Sequence, residues 1–517
     1  MDFEEIIKAL GDFGPYQKRV YFLMCLTSTF TAVQVMATVF TFGVPDHRCS
    51  IPGVENDTYN TGSFSSQEYH YNNSIYRECT ITEASDNTTS TNPNVCHQWV
   101  YDKSVFESTI VSDMDLVCDK KLGKSHAQML IMLGQVTGCV LVGPLSDLFG
   151  RRSMLMTFLI ILIISSIAVT WTPMIGLHLT LAFYFFIGTS ISGSFTPAFV
   201  IGLELVGPSK RVFTGIITEL FWSAGLVILS GVAYWIKNTQ YLQLVISVPS
   251  LTLISFFWFV TESPRWLINK GRYREAEKII REAARVNKVV LPERIFRGRS
   301  RSKDVKQMSI LKIFSSKILL SRTLVLYFIW AVCSLTFYGL SLNAGSLSGS
   351  VHLNFFLLSV IEIPAYIICI VLLDRIGRRF LQCGSLLLSG TCLLLSVFTV
   401  LYTDKSLEWI TTLLAVIGKM GVTAAFAIIW IYTTELYPTV LRNSGVGSSN
   451  LMARIAGAIS PYIANLQTFL DGDIGKVAPL IIFGLASVLA GLLMLFLPET
   501  KGKRLPETVE DAEQFTQ

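Results

Sequence analysis

Long apolar stretches separated by polar segments run through most of this 517-residue chain. Many of these stretches are near 20 residues long and contain no Asp, Glu, Lys or Arg. A helix of about 20 apolar residues crosses the ~30 Å hydrocarbon core of a bilayer. The pattern therefore predicts an all-α membrane protein with twelve spanning helices, at residues 20–44, 127–146, 153–171, 174–203, 211–236, 241–260, 322–342, 352–373, 380–401, 409–434, 443–467 and 477–497.

Two long polar segments differ in charge, and the difference predicts how the helices are oriented. Residues 45–125 contain six Lys and Arg residues, twice as many acidic residues, and three glycosylation sequons at Asn56, Asn72 and Asn87. Residues 262–321 are strongly basic. Because basic loops remain in the cytosol, we expect the first segment to face outside. The second segment and both termini are then cytosolic.

This orientation divides the chain into five parts. We expect a cytosolic N-terminus (1–19), an N-terminal six-helix bundle (20–260) that includes the extracellular loop 45–125, a cytosolic inter-bundle loop (261–321), a C-terminal six-helix bundle (322–497) and a cytosolic tail (498–517). The basic stretch 297–306 is interpreted as part of the cytosolic loop, so no nucleic-acid partner is predicted.

Composition narrows the classes of function. Apolar residues make up 51% of the chain and charged residues only 15%, against about 25% charged in soluble proteins. A soluble enzyme, a disordered chain and a small disulfide scaffold are excluded. The sequence has no Walker loop, metal-ligand histidine pair or nucleophile elbow, so no catalysis, cofactor or metal is predicted. Four cysteines share the outer loop and allow three disulfide pairings; they are Cys49, Cys79, Cys96 and Cys118.

Matched clusters of acidic and basic residues occur at the cytosolic helix ends of both halves. Such clusters can pair neighbouring helix ends, and they must break when two bundles rock about a central site. Membrane topology alone could explain the Arg residues, but acidic residues contribute little to topology. We therefore predict a cytosolic gate that consists of Asp147, Arg151, Arg152, Glu204, Arg211, Glu262, Arg265, Asp374, Arg378, Arg379, Glu435, Arg442 and Glu499.

One of these motifs resembles the signature of the major facilitator superfamily. The first copy is Gly143-Pro-Leu-Ser-Asp-Leu-Phe-Gly-Arg-Arg152. The second copy keeps Asp374-Arg-Ile-Gly-Arg-Arg379 but has Ile370 where the leading Gly would stand. The resemblance implies two pseudo-symmetric six-helix bundles.

More narrowly, the chain resembles the organic cation/anion/carnitine transporter family over nearly its whole length. Glu262-Ser-Pro-Arg-Trp-Leu267, Val360-Ile-Glu-Ile-Pro-Ala-Tyr366 and Glu435-Leu-Tyr-Pro-Thr-Val-Leu-Arg-Asn443 carry this resemblance. Gly418-Lys-Met-Gly-Val-Thr-Ala-Ala-Phe426 and Ser460-Pro-Tyr462 resemble the carnitine/organic-cation branch best. The outer loop departs from the family, since it has four cysteines where many relatives have six.

Four charged residues fall near the middle of the predicted spans: Glu219, Glu362, Lys419 and Arg454. A charge at the bilayer centre costs about 2.5–3.5 kcal/mol on insertion scales, so each one requires a reason. Opposite charges from both halves at this depth indicate a site for a substrate or coupling ion. Mutual neutralisation in buried ion pairs is the alternative explanation.

Aromatic residues accompany these charges. Aromatic faces attract ammonium groups by cation–π contacts worth about 0.5–2 kcal/mol each. For any single aromatic residue, packing on a lipid-facing stripe is the more common role. The resemblance implies that most of these positions line the family's central cavity. We predict a substrate site made of Phe195, Phe199, Glu219, Trp222, Trp330, Phe337, Tyr338, Glu362, Lys419, Phe426, Trp430 and Arg454.

Two of these positions depart from the polyspecific cation carriers of the family, which the resemblance implies have a neutral amide at Glu219 and an Asp at Arg454. Anion and carnitine-type carriers have a basic residue at the second position. A site with both signs suits small organic cations or zwitterions, such as carnitine-like, betaine-like or β-alanine-like compounds and amine conjugates.

The predicted function is plasma-membrane transport of such compounds across the lipid bilayer by alternating access. An organic anion transporter that uses Lys419 and Arg454 as an anion clamp is the first alternative. A membrane receptor or adhesion protein that transports nothing is the second. Coupling to sodium, to protons or to neither remains open.

Overall fold

The computed structural model describes residues 3–55, 57–60, 63–65, 68–71, 74–83, 94–207, 210–292, 295–296, 316–347, 349–402, 407–438, 441–470, 472–503, 506 and 509–513. The sequon residues Asn56, Asn72 and Asn87 and the basic stretch 297–306 lie outside them. Within this part of the chain, 11 helical segments are long and apolar enough to cross a membrane. A further helix, Arg442–Ala464, has a similar length but contains several Ser, Gly and Asn residues.

The first half consists of six spans and three short helices at the end that carries both termini. The spans are α2 with α3 (Pro15–Met36 and Thr38–Thr41), α5 (Gly123–Phe149), α6 (Arg151–Ala168), α7 (Leu177–Glu204), α8 (Arg211–Trp235), and α9 with α10 (Thr239–Ser247 and Phe256–Phe259). The short helices are α1 (Phe3–Ala9), α11 (Pro264–Asn269) and α12 (Tyr273–Asn287).

The second half repeats this arrangement. Its spans are α13 (Lys317–Leu342), α14 with α15 (Val351–Val360 and Glu362–Ile376), α16 (Arg378–Tyr402), α17 (Trp409–Leu436), α18 (Arg442–Ala464) and α19 (Asp473–Met494). The short helix α20 (Val509–Glu513) packs on the start of α13, where Arg322 donates a hydrogen bond of 2.5 Å to the carbonyl of Ala512. We call this face of the molecule the termini end.

The opposite face, which we call the loop end, carries the polar segment between the first two spans. This segment contains α4 (Ile110–Asp113) and short antiparallel strands that sequence analysis did not predict. β1 (His47–Cys49) pairs with β7 (Trp99–Tyr101). A second sheet has the order β2-β3-β4-β5-β6, with strands Ser63–Ser65, Glu68–Tyr71, Ser74–Tyr76, Thr80–Glu83 and Asn94–Val95.

The disulfides of this loop select one of the three pairings that the sequence left open. Cys49 bonds to Cys96, and Cys79 bonds to Cys118. Beside the first bond, the buried guanidinium of Arg48 forms an ion pair of 2.5 Å with Asp57. These cross-links replace the large hydrophobic core that so small a domain cannot form.

The two halves meet along two seams. On one seam α5 lies against α18, and on the other α8 lies against α14 and α15. At the loop end the halves are in aromatic contact, because the ring of His352 in α14 stacks on Phe40 of α3 at 5.2 Å. Phe106 of the polar loop and Tyr234 of α8 also contact His352, at 5.8 and 6.0 Å. We call these four residues the aromatic clasp.

Glycines bring α5 and α7 into direct backbone contact. A Cβ placed on Gly188 would lie 2.0 Å from the carbonyl oxygen of Ile131, and one on Gly134 would lie 2.2 Å from that of Phe185. No rotamer change can relieve such overlaps, because the obstructing atoms belong to the backbone. The two helices are therefore fixed against each other near the middle of the membrane.

Gly188→Ala is expected to destabilise the folded protein, by about 1–3 kcal/mol if it behaves as overpacking in a soluble core. The melting temperature in detergent and the yield of monodisperse protein measure this effect. Gly231→Ala in α8 is the matched control, since a Cβ there meets no atom within 4 Å. Equal melting temperatures for the two variants would contradict the close packing of α5 on α7.

Candidate functional site

At the termini end, the charged clusters predicted as a gate form the same structure twice. The backbone N–H of Arg151 donates to Glu262 at 2.9 Å, and that of Arg378 donates to Glu499 at 3.0 Å. Each glutamate thus accepts hydrogen bonds at the first turn of a span, where N–H groups lack helical partners and negative charge is stabilised. Gly150 precedes one of these helices with a φ of +102°.

The side chains of the clusters also correspond between halves. Arg151 forms an ion pair with Asp147 at 2.7 Å, and Arg378 pairs with Asp374 at 3.1 Å. Arg378 contacts Glu435 as well, at 3.2 Å.

The remaining partners are hydroxyl and carbonyl groups. The hydroxyls of Ser263 and Thr500 donate to Glu204 and Glu435, respectively. Arg152 and Arg379 donate to the backbone carbonyls of Phe257 and Leu495. Each of these contacts joins two residues of the same half.

Three predicted gate residues, Arg211, Arg265 and Arg442, take no part in the contacts given above. Arg265 is exposed, and the side chain of Arg211 lies outside what the structure describes. Arg442 begins α18 and is partly buried.

A cavity lies between the two halves near the middle of the spans. It contains about 600 Å³ of space free of protein atoms, a volume that includes space open to solvent. Eight of the twelve predicted substrate-site residues line it: Phe195, Glu219, Trp222, Phe337, Tyr338, Phe426, Trp430 and Arg454. Gln135, Ile191, Ser192, Tyr366 and Ala427 complete the lining. The first half contributes α5, α7 and α8, and the second half α13, α15, α17 and α18.

Arg454 and Glu219 are the two charged residues of this lining. Arg454 donates from Nη1 to Oε1 of Gln135 at 2.6 Å and to the hydroxyl of Tyr338 at 3.0 Å. Glu219 accepts no side-chain hydrogen bond from the residues that the structure describes. The charge of Arg454 attracts it, but the two side chains are not in direct contact. The cavity therefore presents one carboxylate and one guanidinium to a ligand.

The other two mid-membrane charges neutralise each other outside the cavity lining. Lys419 and Glu362 form an ion pair of 3.2 Å, and both side chains are 0% exposed. The ammonium of Lys419 also donates to Oγ of Ser341 at 2.6 Å and to the carbonyl of Phe337 at 3.1 Å. The hydroxyl of Ser223 in the first half donates to Glu362 at 2.6 Å, so this pair belongs to the seam between α8 and α15.

Two of the predicted aromatic residues lie behind the lining. Trp330 is fully buried, donates to Thr433 at 2.9 Å, and packs edge-on against Trp430 with ring centres 4.7 Å apart. Phe199 stacks on Phe195 and meets Trp430 of the other half at 6.3 Å. These residues support the cavity wall and connect the two halves.

Gln135 is the most informative residue that sequence analysis missed. It is a neutral amide inside an apolar span, and its only signal is that it shares a helix face with Gln128, seven positions earlier. Such amides are common in packed helices, so the sequence alone could not connect Gln135 with Arg454, more than 300 positions away.

Known proteins resemble this chain over most of its length. A model of the family described as "Sugar (and other) transporter" matches residues 58–512. The chain is 35% identical to the "Organic cation transporter protein" of Drosophila melanogaster, covering 100% of this chain and 95% of that protein. It is 33% identical to "Solute carrier family 22 member 1" of Oryctolagus cuniculus, covering 99% and 95%. Identity to "Organic cation/carnitine transporter 2" of Homo sapiens is 31%, covering 98% and 93%.

A solved structure with the same fold is the major facilitator superfamily proton:xylose symporter XylE bound to 6-bromo-6-deoxy-D-glucose. It superposes with a TM-score of 0.63 at 16% identity, covering 96% of this chain and 98% of that one. The predicted twelve-helix fold and the prediction of a transporter, not an enzyme, are confirmed by these relatives. The chain belongs to the sugar (and other) transporter family of the major facilitator superfamily, in the solute carrier family 22 group of organic cation and carnitine transporters.

Proposed function

We propose that this protein transports small organic cations or zwitterions across the plasma membrane by alternating access. Carnitine-like, betaine-like and β-alanine-like compounds and amine conjugates fit the proposal. The observation that carries it is the pair Glu219 and Arg454 in the lining of one central cavity. The names of the relatives, which refer to organic cations and to carnitine, support the same substrate class.

The cationic end of the substrate is assigned to Glu219 and the aromatic wall. Phe195 and Trp222 lie edge-to-face with ring centres 6.3 Å apart, and both line the cavity beside Glu219. A desolvated ammonium group gains from such rings about 2 kcal/mol in favourable cases. A carboxylate without a hydrogen-bonding partner is the stronger attraction, since nothing else in the described lining neutralises it at short range.

The second polar end of the substrate is assigned to Arg454. Lys419 cannot serve as the second half of an anion clamp in this arrangement, because three oxygen atoms within 3.2 Å surround its ammonium group. The lining has one guanidinium, which hydrogen-bonds to neutral groups, and one carboxylate. It therefore does not favour a substrate that carries only negative charge. These contacts argue for a zwitterion over the organic anion alternative.

In the proposed transport cycle, the two halves rock against each other along the two seams where they meet. We place both termini in the cytosol, since α11 and α12, which belong to the basic segment after the sixth span, lie at that end and basic segments remain in the cytosol. The loop end is then extracellular and is closed by the aromatic clasp. The acidic and basic clusters at the termini end are assigned to the cytosolic gate. Because the contacts described for them each join residues of one half, they hold the spans of that half together, and these contacts need not break when the halves rock.

Uptake into cells that express the protein tests the proposal. Labelled L-carnitine, tetraethylammonium and para-aminohippurate are compared with and without sodium, against cells that carry an empty vector. We expect uptake of carnitine or tetraethylammonium and none of para-aminohippurate; the sodium comparison decides coupling. Uptake of para-aminohippurate alone would overturn the proposal in favour of an organic anion carrier.

The variant Arg454→Asp sharpens this test. We expect it to lower carnitine uptake about tenfold or more, because a second carboxylate would repel the carboxylate of the substrate. Tetraethylammonium uptake should be unchanged or higher, since the cavity becomes more negative. An equal loss for both substrates at normal surface expression would mean that Arg454 is structural.

A further inference from the structure

We propose that Gln135 and Tyr338 are positioning residues that hold the guanidinium of Arg454 so that one edge of it receives a substrate carboxylate. The inference rests on the proposed function, because it assumes that Arg454 binds the second polar end of the substrate. It adds the geometry of that contact and assigns a role to a residue from the opposite half of the protein.

The hydrogen bonds of Arg454 leave one edge of the guanidinium available. Nη1 carries two hydrogens, and these are directed to Gln135 and Tyr338 at 2.6 and 3.0 Å. In the described part of the chain, Nε and Nη2 have no hydrogen-bond acceptor. These two nitrogens form the fork that binds a carboxylate through two parallel hydrogen bonds. Since Arg454 lines the cavity, a bound carboxylate can engage the fork without displacing either positioning residue.

Gln135 is well suited to hold this arrangement because its own position is fixed. Its side chain is 0% exposed. The neighbouring Gly134 brings α5 into backbone contact with α7, which prevents the helix from shifting. Among the described residues, the amide nitrogen donates only to Sδ of Met132, at 3.5 Å, which is a weak acceptor. The strong hydrogen bond of this amide is therefore the one to Arg454.

Tyr338 holds the guanidinium from the second half. Its ring is buried and packs edge-on against Phe337, with ring centres 5.4 Å apart. Gly457 of α18 lies beside this ring, and a Cβ there would be in ordinary contact with it, at 3.5 Å. Arg454 is thus held between α5 of one half and α13 of the other.

Competition experiments test this proposal without requiring that the competitor be transported. The uptake of labelled tetraethylammonium is inhibited with L-carnitine, which has a carboxylate, and with choline, which has a similar ammonium group but no carboxylate. For Gln135→Leu and Tyr338→Phe we expect the inhibition constant of carnitine to rise about tenfold. The constant of choline and the KM of tetraethylammonium should change by no more than about twofold, so that the ratio of the carnitine and choline constants rises, although both residues line the cavity. A merely structural role would change all three constants to a similar extent.

Gln128→Leu is the matched control, because Gln128 lies on the same face of α5, is equally buried, and makes no side-chain hydrogen bond to the described residues. It should leave both inhibition constants unchanged. Surface biotinylation confirms that each variant reaches the membrane. If Gln135→Leu fails to fold, Tyr338→Phe still decides the result.

The variant Arg454→Gln separates failure of this inference from failure of the proposed function. If Arg454→Gln weakens carnitine but Gln135→Leu and Tyr338→Phe do not, the positioning role is wrong and the proposed function stands. If Arg454→Gln leaves the ratio of the carnitine and choline constants unchanged, or if carnitine does not inhibit the unaltered protein, the zwitterion part of the proposed function fails, and this inference fails with it. Equal weakening of carnitine and choline in Gln135→Leu would also overturn the inference.

Discussion

Replacing Glu219 by glutamine is expected to lower the uptake of tetraethylammonium at least tenfold without lowering the amount of protein at the cell surface. In the part of the chain that the structure describes, Glu219 is the one carboxylate that lines the cavity. A hydrogen bond or contact that involves a charged group is worth about 1.5–3 kcal/mol, and a tenfold change corresponds to about 1.4 kcal/mol. The amide removes the charge and keeps the size of the side chain.

The initial rate of uptake, divided by the surface amount of the protein, measures this effect. Glu219→Asp is the control, since it keeps the charge and withdraws it by one methylene; we expect an intermediate rate. Folding should be normal in both variants, because Glu219 holds no other described side chain in place. Uptake at the normal rate by Glu219→Gln would show that the aromatic wall alone binds the cation.

Glu362→Gln is expected to act on folding more than on transport. The substitution leaves Lys419 in a fully buried position without its counter-ion. Removing one partner of a buried ion pair costs about 3–5 kcal/mol in soluble proteins, which is a large share of the total stability of a typical domain. We expect a sharp loss of monodisperse protein and a lower melting temperature in detergent.

A second substitution tests whether the unpaired charge is the cause. Glu362→Gln combined with Lys419→Met removes both charges at similar volume and should restore much of the melting temperature, because no buried charge remains at this pair. Lys419→Met alone should also destabilise, since it leaves Glu362 unpaired. A Glu362→Gln protein that melts normally but fails to take up substrate would mean that Glu362 acts in the transport cycle itself.

The fold could be predicted from the sequence because its signals are long and redundant. Twelve apolar segments, a basic central loop and a repeated acidic–basic motif all indicate the same architecture. The matched positions Glu262 and Glu499 perform the same task in both halves, since each accepts backbone hydrogen bonds at the start of a span. The strands of the polar loop could not be predicted, because they are two to four residues long and have too few positions to establish an alternating pattern.

The candidate site could be predicted only in part. The sequence identifies the four mid-membrane charges, but it cannot tell which of them pair, because pairing depends on helix rotation and packing. Lys419 and Glu362 come from different spans of the second half and meet at the seam with the first half, where Ser223 donates to Glu362. Arg454 and Glu219 come from opposite halves and both line the central cavity.

The aromatic clasp connects the polar loop to the second half of the protein, because Phe106 contacts His352. The loop is attached to the first half, because Lys237 donates to the carbonyl of Ser104 at 2.7 Å and Thr239 donates to that of Ser108 at 2.8 Å. His352 belongs to the second half, so separation of the halves at this end must pull its ring away from Phe106. In the proposed transport cycle, the contact between Phe106 and His352 would therefore have to break each time the loop end opens.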